Sequence, residues 1–383
     1  MEYQQADRDY IRLSIAFEGR AKQANELLRN FDSISELFEA VKNFDSDILT
    51  MIKREQAEKL RLTASDVYID DFISNLEKNG VSALTPNSEA YPTELKYIAD
   101  PPFVLYARGK CARLQAETPF AIIGARRCSD YGKKVSAHMG CELAKNGVTI
   151  VSGLAYGCDS LAAQGALSAA EQKYPTAAIL GQGVCTAKTD GTAEIMEAII
   201  ENGCVMSEFL PFTRAATYFF PMRNRIISGM SCGVLVVEAG EKSGTMITAN
   251  CALEQGRTVY AVPGRITDRM SFGTNELIRK GMAEPVFSAE DLLFHLGINP
   301  ECSKKSELRG RGSSELKLTG NQKILFDLIE LGEKNFDEIC ELTQLPVEVL
   351  NLHLTELEFS GLIKQLPCRI SGTHDISFVI NNS

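Results

Sequence analysis

An α/β fold with a doubly wound parallel sheet follows from three features of the 383-residue sequence. Short apolar runs alternate with helical periodicity from residue 120 to residue 280. The runs are continuous and β-branched, as in Val234–Val237, which is how strands buried on both faces read. Nearly every run ends in small residues with a hydroxyl or an arginine. Alternation of this kind implies right-handed crossovers, and ligands then bind beyond the carboxyl ends of the strands.

In chain order, residues 1–85 read as a small helical domain. Ile11, Leu13, Ile15 and Phe17 lead into Ala24, Leu27, Leu28 and Phe31. The segment Asp32–Glu36 supplies caps before Leu37, Phe38 and Val41, and Lys53–Leu62 and Val67–Leu76 are further helices. Residues 86–297 form the central domain. It begins with a connector containing Pro86, Pro92, Pro101 and Pro102, so Phe103–Ala107 reads as an edge strand. The predicted strands are Phe120–Ile123, Thr149–Ser152, Ala177–Leu180, Val205–Ser207, Val234–Glu238 and Thr258–Val262. Helices over Tyr131–Asn146, Ser160–Ala170, Thr192–Glu201, Asn224–Met230, Thr245–Gln255 and Asn275–Lys280 alternate with them.

Residues 298–317 lack periodicity and read as a linker. Residues 318–383 predict three helices, Asn321–Leu331, Phe336–Thr343 and Pro346–Phe359. Two strands follow, Leu362–Leu366 and Ile376–Ile380, with a turn at Ser371–Gly372, which makes a winged helix. Its third helix carries Glu348, Glu356 and Glu358 and no Lys or Arg, the opposite of a DNA-reading helix, which favours a protein-contact or regulatory role.

The net charge of −10 excludes a protein coated in nucleic-acid-binding surface. The balance is local, however: residues 101–300 hold 19 basic and 18 acidic residues. Their cations fall largely in loops (Arg126, Arg127, Arg223, Arg225, Lys242, Arg265), so a basic groove on an acidic protein is expected, with salt-sensitive binding. No apolar run reaches membrane-spanning length, and Met1–Arg12 is polar and acidic, so a cytoplasmic protein without membrane attachment is expected. The 11 cysteines include no Cys-x-x-Cys pair and read as reduced core residues. The four histidines lack metal-like spacing; no metal and no cofactor is expected.

The candidate site is the rim of the sheet. Gly124 and Arg126 follow the first strand, Gly153 the second, and Gly264 the sixth. After Val234–Glu238, the turn Gly240–Thr245 runs into a helix whose free N–H groups and dipole favour phosphate. Arg223 and Arg225 flank Asn224 just upstream, which suggests a ligand with more than one phosphate. The sequence has no Trp, so base stacking would fall to Phe and Tyr; aromatics such as Tyr218, Phe219 and Phe220 more often serve the core, and Phe220 beside the arginines is the best candidate platform.

These motifs resemble the DNA-processing protein DprA (Smf) family over Tyr91–Leu296. The carrying pieces are Gly124-x-Arg126-x-x-Ser129-x-Tyr131-Gly132, Ser152-Gly153-Leu-Ala155-x-Gly157-x-Asp159, Phe220-Pro-x-Arg223-Asn-Arg225, Ser243-Gly-Thr245-x-x-Thr248 and Pro263-Gly264. The resemblance implies an extended Rossmann-like fold with an N-terminal helical domain and a C-terminal winged helix. It implies a homodimer that binds single-stranded DNA without cutting it, protects incoming strands in natural transformation and loads the RecA recombinase. Arg126, Ser129, Phe220, Arg223, Asn224, Arg225, Ser243, Gly244, Thr245 and Thr248 would line the DNA groove. Ala163 stands where the family usually has histidine. Arg126→Ala and Arg225→Ala are each expected to weaken strand binding and lower its salt dependence.

The alternative is an enzyme. The rim also resembles the LOG-type nucleotide phosphoribohydrolases, with their Pro-Gly-Gly-x-Gly-Thr-x-x-Glu motif. Thr248 occupies the place of that motif's catalytic carboxylate, and Glu208 and Glu241 lie at other spacings. Glycosidic chemistry through an oxocarbenium-like state needs the carboxylate, so no catalytic residue is assigned.

Overall fold

The computed structural model describes residues 3–43, 51–111, 118–169, 174–187, 191–241, 243–298, 320–330, 334–343, 345–359, 363–367 and 376–380. It divides into two compact units, residues 1–297 and 298–383.

A nine-stranded sheet forms the centre of the first unit. Its strands are β1 (Ser82–Leu84), β2 (Leu105–Gly109), β3 (Thr118–Ile123), β4 (Val148–Ser152), β5 (Thr176–Ile179), β6 (Cys204–Ser207), β7 (Gly233–Val236), β8 (Thr258–Ala261) and β9 (Glu284–Pro285). The order across the sheet is β1-β2-β6-β5-β4-β3-β7-β8-β9. From β6 to β9 all pairings are parallel. Every residue of β4, β5, β6 and β7 is buried, so these mostly apolar runs are covered on both faces.

The edge strand expected near Phe103 is a correction. β2 pairs antiparallel with β6 on one side and with β1 on the other. The two prolines precede the strand rather than sit in it, so its N–H groups are available to both neighbours. Alternate residues of this stretch serve opposite faces: Leu105 and Ala107 join the core containing Ile123 and Ile226, while Val104 and Tyr106 join the core containing Ile11 and Ile69.

The N-terminal helices build a core of their own around Leu13, Phe17, Leu37, Phe38 and Leu60. Ser33 caps the helix Ile34–Lys42 by accepting the Glu36 N–H at 3.1 Å. This layer is tied to the sheet. Glu18 accepts the Leu210 N–H at 3.1 Å and the Thr213 hydroxyl, and a Cβ on Gly19 would meet Phe209 at 2.4 Å. The expectation of reduced cysteines fails at one place: Cys111 and Cys204, joined where β2 meets β6, form a disulfide. Their pairing is set by tertiary neighbours 93 positions apart, which no local spacing reveals.

The second unit contains helices Gly320–Glu330, Phe336–Thr343 and Val347–Phe359 and a three-stranded antiparallel sheet. Its strands β10 (Lys334–Asn335), β11 (Ile363–Pro367) and β12 (Ile376–Ile380) run in the order β10-β12-β11. Leu325, Ile339, Leu350, Leu354 and Ile363 form its core. The expected linker lies outside the described residues apart from Ile298, and the Ser371–Gly372 turn lies wholly outside them. Among the described residues no helix is long and apolar enough to cross a membrane.

Candidate nucleic-acid interface

After β3 the chain winds outward through β4, β5 and β6, then returns to lay β7 on the other side of β3. The crevice at such a reversal is open because the two connections leave in opposite directions. A cleft of about 530 Å³ occupies that place, lined from Ile123 to Arg127 after β3 and from Gly240 to Thr248 after β7. The third wall is the helix Phe219–Gly229, through Phe220, Arg223, Asn224 and Ile227.

The helix starts at Phe219, earlier than the sequence predicts, and this separates the two arginines. Residues two apart on a helix point about 200° from each other. Arg223 turns inward to the cleft floor. It is 4% exposed and donates to the Gly153 carbonyl at 2.8 Å and to the Ile179 carbonyl, while its Nε is buried without a partner. Arg225 turns away. It donates both Nη groups to Glu208, at 3.0 and 2.7 Å, and its Nε to Asp100 at 3.4 Å. It is absent from the cleft lining, so the expected pair of cations facing one ligand is corrected to a single one from this helix.

The opposite wall is the N-terminus of the helix Gly244–Glu254. Ser243 is its N-cap residue but makes no capping bond, and its Oγ is buried without a partner. Gly244 is exposed, with open space where a Cβ would stand, while Thr245 and Thr248 are buried against the cleft. An exposed Gly244 at the helix start, with an unspent hydroxyl buried just behind it, favours an acceptor there. Lys242 lies outside the described residues.

Arg126 is exposed at the mouth, with its guanidinium over the Phe220 ring at 5.2 Å from the centroid. Arg127 is exposed beside it and also lines the cleft. Beneath them, Asp159 accepts N–H groups from Gly124 at 3.3 Å and Gly153 at 3.0 Å. Burial raises the Asp159 carboxyl above its ordinary value, against the pull of Arg223. Burial pushes Arg223 down to about 10, with Asp159 opposing and Arg126 adding to the depression. Among the described residues the cleft thus holds three arginines against one carboxylate.

Besides Arg225, three predicted residues lie elsewhere. Ser129 caps the helix Asp130–Lys145 and gives its N–H and hydroxyl to Glu238, so its polar groups are committed. Gly153 lies under the floor, where its missing side chain makes room for Arg223 at 2.6 Å. Gly264 donates its N–H to Asn275 Oδ1 and accepts from Asn275 Nδ2 at its carbonyl, and a Cβ there would strike Ser271. Gly124, with Cys158 directly beneath it, does line the cleft. Sequence reasoning missed the roles of Arg127 and Asp159. The Asp159 role was recoverable, because the motif Gly153-Leu-Ala-Tyr-Gly157-Cys-Asp159 returns a carboxylate to the strand end it starts from. Glu208, weighed as a catalytic substitute, is held by Arg225 outside the cleft.

Comparison with known proteins bears on this geometry. The family profile of DNA recombination-mediator protein A matches residues 82–297, and that of the DprA winged helix domain matches residues 313–367. DNA processing protein DprA of Bacillus subtilis is 36% identical over 258 residues, 66% of this chain and 84% of that protein. Protein Smf of Escherichia coli is 35% identical over 306 residues, 78% of this chain and 79% of that protein. The X-ray structure of DprA from Streptococcus pneumoniae superposes with a TM-score of 0.62 at 28% identity, covering 76% of this chain and 98% of that one. DNA processing protein A from Helicobacter pylori, described for its unique single-stranded DNA binding mode, superposes with a TM-score of 0.51 at 30% identity, covering 56% of this chain and 95% of that one.

Proposed function

The chain belongs to the DNA recombination-mediator protein A family, and from that premise we propose that it captures single-stranded DNA in the cleft between β3 and β7. One observation carries the reading: an exposed arginine stacked on Phe220 faces a helix N-terminus with an unspent serine hydroxyl across an open cleft. A phosphate placed there meets Arg126, the N–H groups of Gly244 and Thr245, Ser243 Oγ and the field of Arg223. The half-exposed face of Phe220 offers a base a stacking partner without reading its identity. The single-stranded DNA binding described for the Helicobacter pylori relative supports the same ligand. Thr248 and Asn224 shape the wall, and Gly124 makes room for Cys158 beneath the cleft. Ser129, Gly153, Arg225 and Gly264 act by holding these groups.

The wider role follows from the ligand. A protein that holds a strand by phosphates and stacked bases shields it from nucleases and presents it to a recombinase. We assign to this chain protection of incoming strands and loading of RecA, acting as a homodimer in the cytoplasm. No nucleophile or acid–base pair is needed. Asp159 accepts backbone N–H groups within the fold, as a structural carboxylate does.

Fluorescence anisotropy with oligo-dT across salt tests the reading. Submicromolar binding to single strands that weakens steeply with salt is expected, and equal affinity for duplex would contradict it. Incubation with nucleoside monophosphates is expected to release no base; turnover would restore the hydrolase reading. Faster recombinase filament assembly on strands coated with single-strand-binding protein is expected, and unchanged assembly would remove the loading role.

A further inference from the structure

Beside the cleft, the loop Gly153–Gly157 does something the phosphate site does not require. Leu154 is completely buried yet adopts φ +48°, a left-handed conformation that an L side chain resists. Gly157 is at φ +100°, and a Cβ there would meet the carbonyl oxygens of Ala125 and Arg126 at 2.4 and 2.5 Å. The loop is therefore pressed onto the backbone that carries Arg126. Between these two constrained residues, Tyr156 is thrown outward and left 61% exposed. Its neighbour Ala155 lines the cleft.

The surroundings of Tyr156 include basic groups. Exposed Arg127 lies on the cleft side. The helix Asp130–Lys145 opens with Tyr131 52% exposed and with Lys133 and Lys134 both exposed. Lys133 lies within electrostatic range of the Tyr156 hydroxyl and the Cys128 thiol, and pairs with Asp130 at 2.9 Å. An isolated exposed tyrosine is ordinary. One held out by two constrained backbone positions, next to a cleft-lining residue, against the backbone of Arg126 and within electrostatic range of Lys133, adjoins the surface on which a strand would lie.

We propose that Tyr156, with Tyr131 beyond it, forms a second subsite that stacks bases of a single strand leaving the phosphate cleft. The inference rests on the cleft reading and adds to it a direction: the strand passes from Phe220 and Arg126 across Arg127 to Tyr156. Stacking of this kind is blind to sequence and gains with strand length, since a strand filling only the cleft never reaches the rim.

The test uses the full chain and fluorescein-labelled oligo-dT of about 4 and about 20 residues, the longer spanning more than one site of the usual size. A third probe has the longer backbone with abasic residues. Tyr156→Ala is expected to weaken binding of the long strand about tenfold, within the range measured for one lost base stack. It should leave the short strand and the abasic strand unchanged, and Tyr156→Phe should bind as the wild type does. A 2-aminopurine placed along the strand should be quenched at one position in wild type and Tyr156→Phe, and released in Tyr156→Ala. Unchanged long-strand affinity would overturn the subsite, as would equal losses on all three probes, which would mark a structural role. A wild-type chain that binds neither oligo-dT removes the cleft reading itself; normal short-strand binding with no Tyr156 effect removes the subsite alone.

Discussion

The two flanks of the helix Phe219–Gly229 use the same residue type to opposite ends. On one flank, Arg225 faces two carboxylates, Glu208 and Asp100, and its donors are spent within the fold. On the other, Arg126, Arg127 and Arg223 share one carboxylate, Asp159, whose oxygens already accept backbone N–H groups. The comparison separates a cation that holds the protein together from cations left for something else. A buried guanidinium with a matched carboxylate is worth most when its partner would otherwise be stranded. An exposed guanidinium over an aromatic face adds little to folding and keeps its charge for a ligand.

The largest expected effect breaks the spent flank. Arg225→Ala strands Glu208, which is 4% exposed, and should cost about 3 kcal/mol of stability. Denaturant unfolding checks this; a loss under about 1 kcal/mol would show that the pair is not structural. The folded fraction should still bind oligo-dT with wild-type salt dependence.

Next is Gly153→Ala. Its Cβ would stand 2.6 Å from the Arg223 guanidinium, so the arginine must leave the floor or the loop must shift. Overpacking of this kind costs about 2 kcal/mol. Strand affinity should fall as well, because the displaced cation no longer supports the cleft. Wild-type melting and affinity would mean that Arg223 has another place to go.

Arg126→Ala sits on the unspent flank. Affinity for single strands should fall about tenfold, near 1.4 kcal/mol, with the salt slope reduced by about one unit. The melting temperature should stay within about a degree, as for other exposed side chains. A shifted melting temperature with intact binding would reverse the assignment of the two flanks.

The smallest effect concerns pH. Burial raises the Glu208 carboxyl despite Arg225. A carboxyl raised in the folded state binds more protons folded than unfolded, so its contribution favours folding at low pH and is lost as pH climbs above the ordinary glutamate range. In the double variant Glu208→Gln/Arg225→Met this dependence is gone. Its melting temperature relative to wild type should rise between about pH 4 and about pH 7. A constant difference would mean that Glu208 titrates normally.

Much of this was legible in the sequence. Continuous β-branched runs placed the strands from Phe120 to Val262, and glycine with hydroxyl or arginine at their ends marked the rim. Gly124, Arg126, Phe220 and Ser243–Thr245 meet there because parallel strands deliver all their carboxyl ends to one side. The rest depended on phase and on distant neighbours. Arg223 and Arg225 read alike with the helix placed from Asn224, and only its start at Phe219 sets them on opposite faces. The antiparallel pairing of Ser82–Leu84 with β2 and the Cys111–Cys204 bond join segments that no local pattern links. Ser129 looked free for a ligand because Glu238, which takes its hydroxyl, lies 109 positions away.

The most direct test compares log affinity against log salt for oligo-dT binding by Arg126→Ala and Arg225→Ala, at a temperature where both variants are folded. Arg126→Ala should lose about one unit of slope and Arg225→Ala none. Equal losses from the two variants would place both arginines on the strand and contradict the division between the flanks.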